Sequence, residues 1–347
     1  MKSIPHSRPT IGEAELESVA GTILSGNIAQ GSLVDTFERA VADFIGVRSA
    51  VAVSSGSAAL HLSLLALKVG KDDQVIIPDY TCTALLNVVR YVEASPRIAD
   101  IIPGGYNLDP LDIKGRLTRD IKAIVLVHSF GLPADIKEIK SFGVPVIEDL
   151  AQAMGADYRG KPVGSFGELS IVSFYATKVM TTGEGGMVLS NSSDLLERVR
   201  DLRDYDEKKD YKVRYNYKMT DMQAAMGLVQ LKRLPEFIEK RREIADYYNE
   251  SLKEAPVCLP MSLEGRGHIY HRYIVEVERG LSSIIDSLKK RGVDAKMPIY
   301  KPLHRYLKKG SFKNSLNAWN RALSVPIYPS LTDEDRERVV EAVKEVL

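Results

Sequence analysis

Residues 170–190 read SIVSFYATKVMTTGEGGMVLS: a β-rich run, a lysine at position 178, a turn through Gly183, Gly185 and Gly186, then a second β-rich run. Apolar and small residues flank Lys178, and the Ser173 hydroxyl stands five positions before it, whereas most lysines are solvated surface groups. In a partly desolvated pocket a lysine has a lowered pKa and can be the neutral amine that Schiff-base chemistry requires. The β-runs beside it belong to a longer series. From about Ser49 to Ser190 the segments AVAVS, QVIIP, KAIVLVHSF, VPVIED, SIVSFY and GMVLS alternate with helical ones. This alternation predicts an α/β class with a mainly parallel sheet covered by helices.

Two further segments of that series carry chemistry. In SSGSAALHLSLLAL, Ser54 to Ser57 follow a β-run, and Leu60, Leu64 and Leu67 mark the helix that starts there. Exposed N–H groups and the helix dipole favour an anion at such a junction, Gly56 allows close approach to the backbone, and the Ser57 hydroxyl can donate once more. A Ser/Gly turn that merely caps a helix explains the same residues. In VPVIEDLAQA a buried strand ends in Glu148 and Asp149, with Gln152 three residues beyond Asp149. Ligands of open parallel sheets bind outside the carboxyl ends of strands, although an aspartate there can also be a plain helix cap.

A phosphate cup, a strand-end carboxylate and a desolvated lysine together fit pyridoxal phosphate. That group needs its phosphate anchored, its ring nitrogen kept protonated and its aldehyde bound to an amine. An ionised Asp149 would favour the pyridinium form, and Lys178 would then be the base that moves the α-proton.

The remaining composition is that of an ordinary soluble enzyme. The chain has 347 residues, 44% hydrophobic and 27% charged, and this length predicts one large domain and a smaller one. The 47 basic and 46 acidic residues give a net charge of +1, so no global field favours nucleic acid or an anionic membrane. Cys82 and Cys258 lack metal-ligand spacing, which predicts no metal site and suits a reducing, cytoplasmic compartment. No signal-peptide core or bilayer-length apolar run is visible.

Element by element, Thr10 and Glu13 form a capping-box pattern before a helix whose apolar face is Leu16, Val19, Ala20, Ile23 and Leu24. The charged stretch Asp201 to Arg214 reads as an exposed loop. Beyond Pro235, the spacing of Phe237, Ile244 and Tyr248 predicts a long helix leaving the first domain. A boundary is placed there, between a large domain over 1–238 and a small α+β domain over 239–347. The latter contains a strand in IYHRYIVEV, a helix near Leu281 to Lys290, and a last helix capped at Thr332 with Val339, Val343 and Val346 inward.

The sequence resembles the DegT/DnrJ/EryC1/StrS family of sugar aminotransferases, a branch of the fold-type-I pyridoxal-phosphate enzymes. The resemblance spans nearly the whole chain: PHSRPTIGEAELESV, SGNIAQG, VSSGSAALH, VIEDLAQA, SFYATK, TTGEGGM, YNYKMTDMQAAMGLVQL and PIYPSLTDED. It implies a seven-stranded sheet in the large domain, with Lys178 as Schiff-base lysine and proton shuttle and Asp149 on the pyridine nitrogen. Gln152 would bond the ring hydroxyl, and Gly56, Ser57 and Ser173 would hold the phosphate. A homodimer with shared sites is implied, in which Lys218 reaches the neighbour's cofactor phosphate. Asn27, Tyr300 and His304 resemble substrate-side positions. The implied reaction converts pyridoxal phosphate to pyridoxamine phosphate with an amino acid, typically glutamate, and then aminates a nucleotide-linked keto sugar, as in aminosugar and polysaccharide biosynthesis.

The chain also departs from the family pattern. Cys82 stands where many relatives carry an aromatic that stacks on the cofactor ring, so a smaller contact must replace that stacking. Lys218 replaces the commoner arginine or asparagine, and Arg214 stands where glycine is common. Lysine at 178, where the family's sugar dehydratases carry histidine, favours transamination. An aminotransferase acting on a cyclic ketone such as an inosose shares all these motifs, and a non-catalytic cofactor-binding regulator is a third reading.

Overall fold

Strands β1 (Ser49–Val53), β2 (Gln74–Pro78), β3 (Ser95–Ala99), β4 (Ile121–Val127), β5 (Val146–Asp149), β6 (Leu169–Ser173) and β7 (Gly186–Ser190) form one sheet in the order β1-β7-β6-β5-β4-β2-β3. In this computed structural model, which describes residues 3–308 and 310–347, β7 runs antiparallel to both of its neighbours and every other pair is parallel. Successive side chains of a strand point to opposite faces, and the two cores follow that rule. Ala52, Ile124, Leu126, Val146 and Met187 pack on one face with Phe37, Val41 and Ile45 of helix α2 (Ser32–Ile45). Val53, Val125, Val127, Ile147, Ile171 and Val188 pack on the other with Leu60 and Leu64 of helix α3 (Gly56–Ala66). Glu148 therefore points with Val146 and away from Asp149, which shares the α3 face with Ile147.

A second, three-stranded antiparallel sheet is built from Val257–Cys258, Tyr273–Val277 and Ala322–Val325. It shares a core with helices Leu281–Lys290 and Asp333–Val346, whose Thr332 cap accepts the Asp335 N–H at 3.1 Å. Ile4 packs into this core too, and its N–H donates to the Gly292 carbonyl. The long helix Asp221–Leu252 joins both regions: Leu231, Leu234, Phe237 and Ile238 enter the core of the seven-stranded sheet, and Ile244, Tyr248 and Leu252 enter the other.

Several local expectations are corrected. The first helix, α1 (Glu13–Ser25), starts two residues later than expected. Gly12, not Thr10, is its N-cap, and the Gly12 N–H donates to Glu15 Oε2 at 2.8 Å. Part of its apolar face is outward, with Leu16 68%, Ile23 55% and Leu24 88% exposed, while Val19 and Ala20 are half-buried. The face on the long helix is polar instead: Ser18 donates to the Ala225 carbonyl, and Glu15 accepts from Gln230 and Arg233. Periodicity finds an apolar stripe but not what the stripe faces.

The long helix begins at Asp221, upstream of Pro235, which lies inside it. Burial of Leu231, Leu234 and Phe237 around the proline outweighs the lost backbone bond there. In the charged stretch, residues as far as Arg203 belong to helix Ser193–Arg203, and the Arg214 side chain is 4% exposed, held by Asp201 at 3.0 Å and Asp210 at 2.6 Å. An arginine can bury its stem and still fork onto two carboxylates; residues 205–213 between these ends form an exposed loop, as expected.

Candidate active site

Phe174 closes the loop that carries Lys178. Its N–H donates to the Gly185 carbonyl at 2.9 Å, and its own carbonyl accepts from the Thr182 N–H at 3.0 Å and the Thr181 hydroxyl at 2.9 Å. Inside that closed loop the Lys178 N–H donates to the Tyr175 carbonyl at 2.9 Å, making a turn that fixes the base of the side chain. Asp149 ends β5, 4% exposed, with Oδ1 accepting the Ala151 N–H at 2.9 Å.

The two groups perturb each other. Burial pushes the Lys178 amine below the ordinary lysine range, with the Asp149 carboxylate and the Cys82 sulfur opposing and the Arg272 guanidinium adding to it. Burial likewise raises the Asp149 carboxyl, against the Ala151 N–H and the nearby Lys178 amine. The amine is thus biased toward the nucleophilic neutral form, as the sequence predicted. The ionised Asp149 predicted from sequence needs a cation against it, the place a protonated ring nitrogen would take.

At the other end of the cleft, α3 begins at Gly56, with Ser55 as N-cap accepting the Ala58 N–H at 3.0 Å. N–H groups of a helix's first turn lack intrahelical acceptors, so those of Gly56 and Ser57 are the donors this helix start can offer an anion. A Cβ on Gly56 would stand 2.8 Å from Ser173 Cβ, a clash that explains the glycine and places the Ser173 hydroxyl beside the same helix start. Gln152 Oε1 accepts the Phe130 N–H at 2.8 Å, which orients the amide and leaves its NH2 group for a ligand. A desolvated amine, a carboxylate awaiting a cation and a small-residue helix start fit pyridoxal phosphate.

Other expected residues lie apart. Cys82 is exposed at the N-cap of helix α4 (Thr83–Tyr91), its sulfur within electrostatic reach of Lys178. Lys218 pairs with Asp204 at 2.7 Å and lies over the Tyr205 ring. Asn27 and Tyr300 are exposed, Tyr300 to 84%. His304 is buried, its Nδ1 2.7 Å from Asp79 Oδ2 and its N–H donating to Asp79 Oδ1 at 2.6 Å. No group of three or more potential metal ligands occurs among the described residues.

Residues 9–344 match the DegT/DnrJ/EryC1/StrS aminotransferase family. The chain belongs to that family. Within it, the chain is 36% identical to the GDP-perosamine synthase of Caulobacter vibrioides, over 91% of each sequence. It is 34% identical to the spore coat polysaccharide biosynthesis protein SpsC of Bacillus subtilis, over 99% of this chain and 97% of SpsC. Among solved structures, the putative sugar aminotransferase Spr1654 of Streptococcus pneumoniae superposes in its PMP form with TM-score 0.93 at 28% identity, over 99% of this chain and 97% of that one. A PLP form of the same protein superposes with TM-score 0.92. The family's α/β architecture, with its mainly parallel sheet, is the one described above.

Sequence reasoning missed several residues of this region. Glu148 and His128 form a buried pair at 3.0 Å beneath Asp149. Asp79 and Tyr80 precede Cys82 in PDYTC, and His271 and Arg272 lie in IYHRYIVEV, a segment read only as a strand. One histidine and one arginine immediately before strand Tyr273–Val277 were the available signal.

Proposed function

We propose that this family member is a pyridoxal-phosphate aminotransferase that takes the amino group of an amino acid, glutamate, and delivers it to the keto group of a nucleotide-linked sugar. The observation that carries this reading is the buried Lys178 amine, held below the ordinary lysine range in a closed loop beside Asp149. When bound, the cofactor supplies an electron sink for the carbon that gains or loses the amine. Asp149 holds the proton of its ring nitrogen, Gln152 donates to its ring hydroxyl, and Gly56, Ser57 and Ser173 receive its phosphate. Lys178 carries the cofactor between turnovers and moves the proton at the reacting carbon. Cys82 supplies a small contact where relatives stack an aromatic.

The names of the GDP-perosamine synthase and SpsC support a sugar substrate and a place in polysaccharide biosynthesis. The outward apolar stripe of α1 supports a homodimer, since monomers seldom leave such a face uncovered. In that dimer Lys218 would reach the partner's phosphate, and Asn27, Tyr300 and His304 would face the sugar. No helix among the described residues is long and apolar enough to cross a membrane, and free Cys82 and Cys258 suit a reducing cytoplasm. We place the boundary between the two domains within the long helix, near residue 238, where its buried side chains change core.

Borohydride treatment of the yellow protein should bleach the Schiff-base absorption and leave one adduct, on Lys178, which Lys178→Ala abolishes without unfolding the protein. An adduct on another lysine contradicts the assignment. A glutamate-dependent screen of nucleotide-linked keto sugars and inososes, read by mass, then separates the two substrate classes.

A further inference from the structure

Arg272 is a largely desolvated cation that the folded chain leaves without a counter-ion. Other inward arginines have clear acceptors: Arg203 meets Glu38 at 2.9 Å, Arg233 meets Glu15 at 2.7 Å, and Arg241 donates to the carbonyls of Tyr270, His271 and Ile327. Around Arg272, no carboxylate lies within 4.0 Å among the described residues, and its side chain meets only the His6 ring. Nη1 is 3.2 Å from His6 Nδ1 and 3.1 Å from Nε2. Near-equal distances to both ring nitrogens put it over the ring face, with Nε2 already 2.9 Å from the Ser324 hydroxyl. The guanidinium fork therefore remains available.

Its position ties it to the cofactor cleft. The Arg272 N–H meets the Phe130 carbonyl at 3.4 Å, and the Phe130 N–H is the one bonded to Gln152. Next to it, Gly131 has φ +100°, and a Cβ there would stand 2.9 Å from the His271 nitrogen, so the two backbones touch. Tyr80, whose ring lies edge-on to Phe130 at 6.4 Å, is 2% exposed and its hydroxyl has no partner among the described residues; neither has His271 Nδ1. The charge of Arg272 also helps hold the Lys178 amine down. The unpartnered Tyr80 hydroxyl and the His271 ring thus accompany Arg272 near the Phe130–Gln152 bond and within electrostatic reach of Lys178.

We propose that Arg272, with the Tyr80 hydroxyl, receives the α-carboxylate of the amino-acid donor. This rests on the aminotransferase reading given above. The two substrates of that reaction share one cleft but differ at the reacting carbon. An amino acid carries a carboxylate on the carbon that bears the amine, whereas a nucleotide-linked keto sugar carries its charge on the distant diphosphate. A guanidinium matches a carboxylate bidentately. An arginine already desolvated by folding gains more from that anion than a hydrated one would, because part of the desolvation cost has been met. With no carboxylate within 4.0 Å of it among the described residues, the Arg272 guanidinium is free again once the keto acid leaves and the uncharged sugar carbon takes its place.

The test uses the cofactor-loaded protein and follows conversion of its pyridoxal form to the pyridoxamine form by L-glutamate. Arg272→Met should raise the half-saturating glutamate concentration about 10- to 100-fold, and Arg272→Lys should fall between it and the parent because lysine lacks the fork. Tyr80→Phe should raise it about 2- to 10-fold. Condensation of propylamine, which has no carboxylate, with the Lys178-bound cofactor should change far less than the glutamate dependence in all three. Unaltered glutamate dependence in Arg272→Met overturns the proposal, as does an equal loss toward propylamine. Parent protein that binds pyridoxal phosphate but is not converted by any amino acid defeats the aminotransferase reading itself.

Discussion

Glu148→Gln should destabilise the protein out of proportion to the one atom changed. The carboxylate is fully buried on the sheet face opposite Asp149 and accepts four hydrogen bonds. Oε1 takes the N–H groups of Phe166 at 2.9 Å and Gly167 at 2.6 Å, and Oε2 takes the Gly164 N–H at 2.9 Å and His128 Nε2 at 3.0 Å. His128 cannot switch roles, because its Nδ1 already accepts the Ala134 N–H at 3.0 Å, so the ring proton sits on Nε2. Whichever way the new amide turns, its NH2 group confronts two donors. At about 1–3 kcal/mol for each buried donor left unpaired, the loss is about 2–6 kcal/mol. Relief of the carboxylate's own desolvation moves the result toward the lower end. Against about 5–15 kcal/mol for a typical domain, that is a large fraction.

Urea unfolding at neutral pH reads this as a lowered midpoint. Burial raises the Glu148 pKa, but the hydrogen bonds from His128, Gly164 and Gly167 together bring it below its ordinary value of 4.5. A carboxylate with a depressed folded pKa contributes stability that is fully present above the ordinary value and lost as pH falls through the folded one. The gap between parent and variant should therefore close in acid, below about pH 4.5. An unchanged midpoint at neutral pH, with unchanged slope, refutes the reasoning.

Asp149→Asn should retain bound cofactor, since Lys178 and the phosphate contacts remain, yet lose about 10²-fold or more in turnover; near-normal turnover contradicts its role at the ring nitrogen. In the same variant without cofactor, loss of the opposing carboxylate charge should lower the Lys178 pKa further, so amine-reactive labelling of Lys178 should reach its plateau at lower pH than in the parent. Lys218→Ala should weaken cofactor retention about 10- to 100-fold if its ammonium serves the partner's phosphate. Equilibrium dialysis checks this, and parental affinity removes Lys218 from the shared site.

Much of the fold was legible because strand-to-helix alternation and turn chemistry are local. The runs between Ser49 and Ser190 became the strands of the large sheet, and Thr332 capped its helix as expected. The closed loop around Lys178 was legible for the same reason: apolar neighbours and a glycine turn within a few residues were enough to predict desolvation. Where burial depends on what lies across space, the residues alone do not give it. Leu16, Ile23 and Leu24 have helical period but face outward, and Arg214 sits among charges yet is covered.

By itself, then, the sequence determined the class of the fold and the family, and it singled out the lysine and aspartate that we propose hold the cofactor. Tertiary structure alone decided what each sheet face offers, four hydrogen-bond donors to Glu148 on one and the Lys178 amine beside Asp149 on the other. Only in the folded chain does Arg272 come to lie beside the Phe130–Gln152 bond without a carboxylate of its own. A side chain's hydrophobicity travels with the residue, whereas charge compensation and burial are set by whatever the fold brings alongside, as with His6, 266 positions from Arg272.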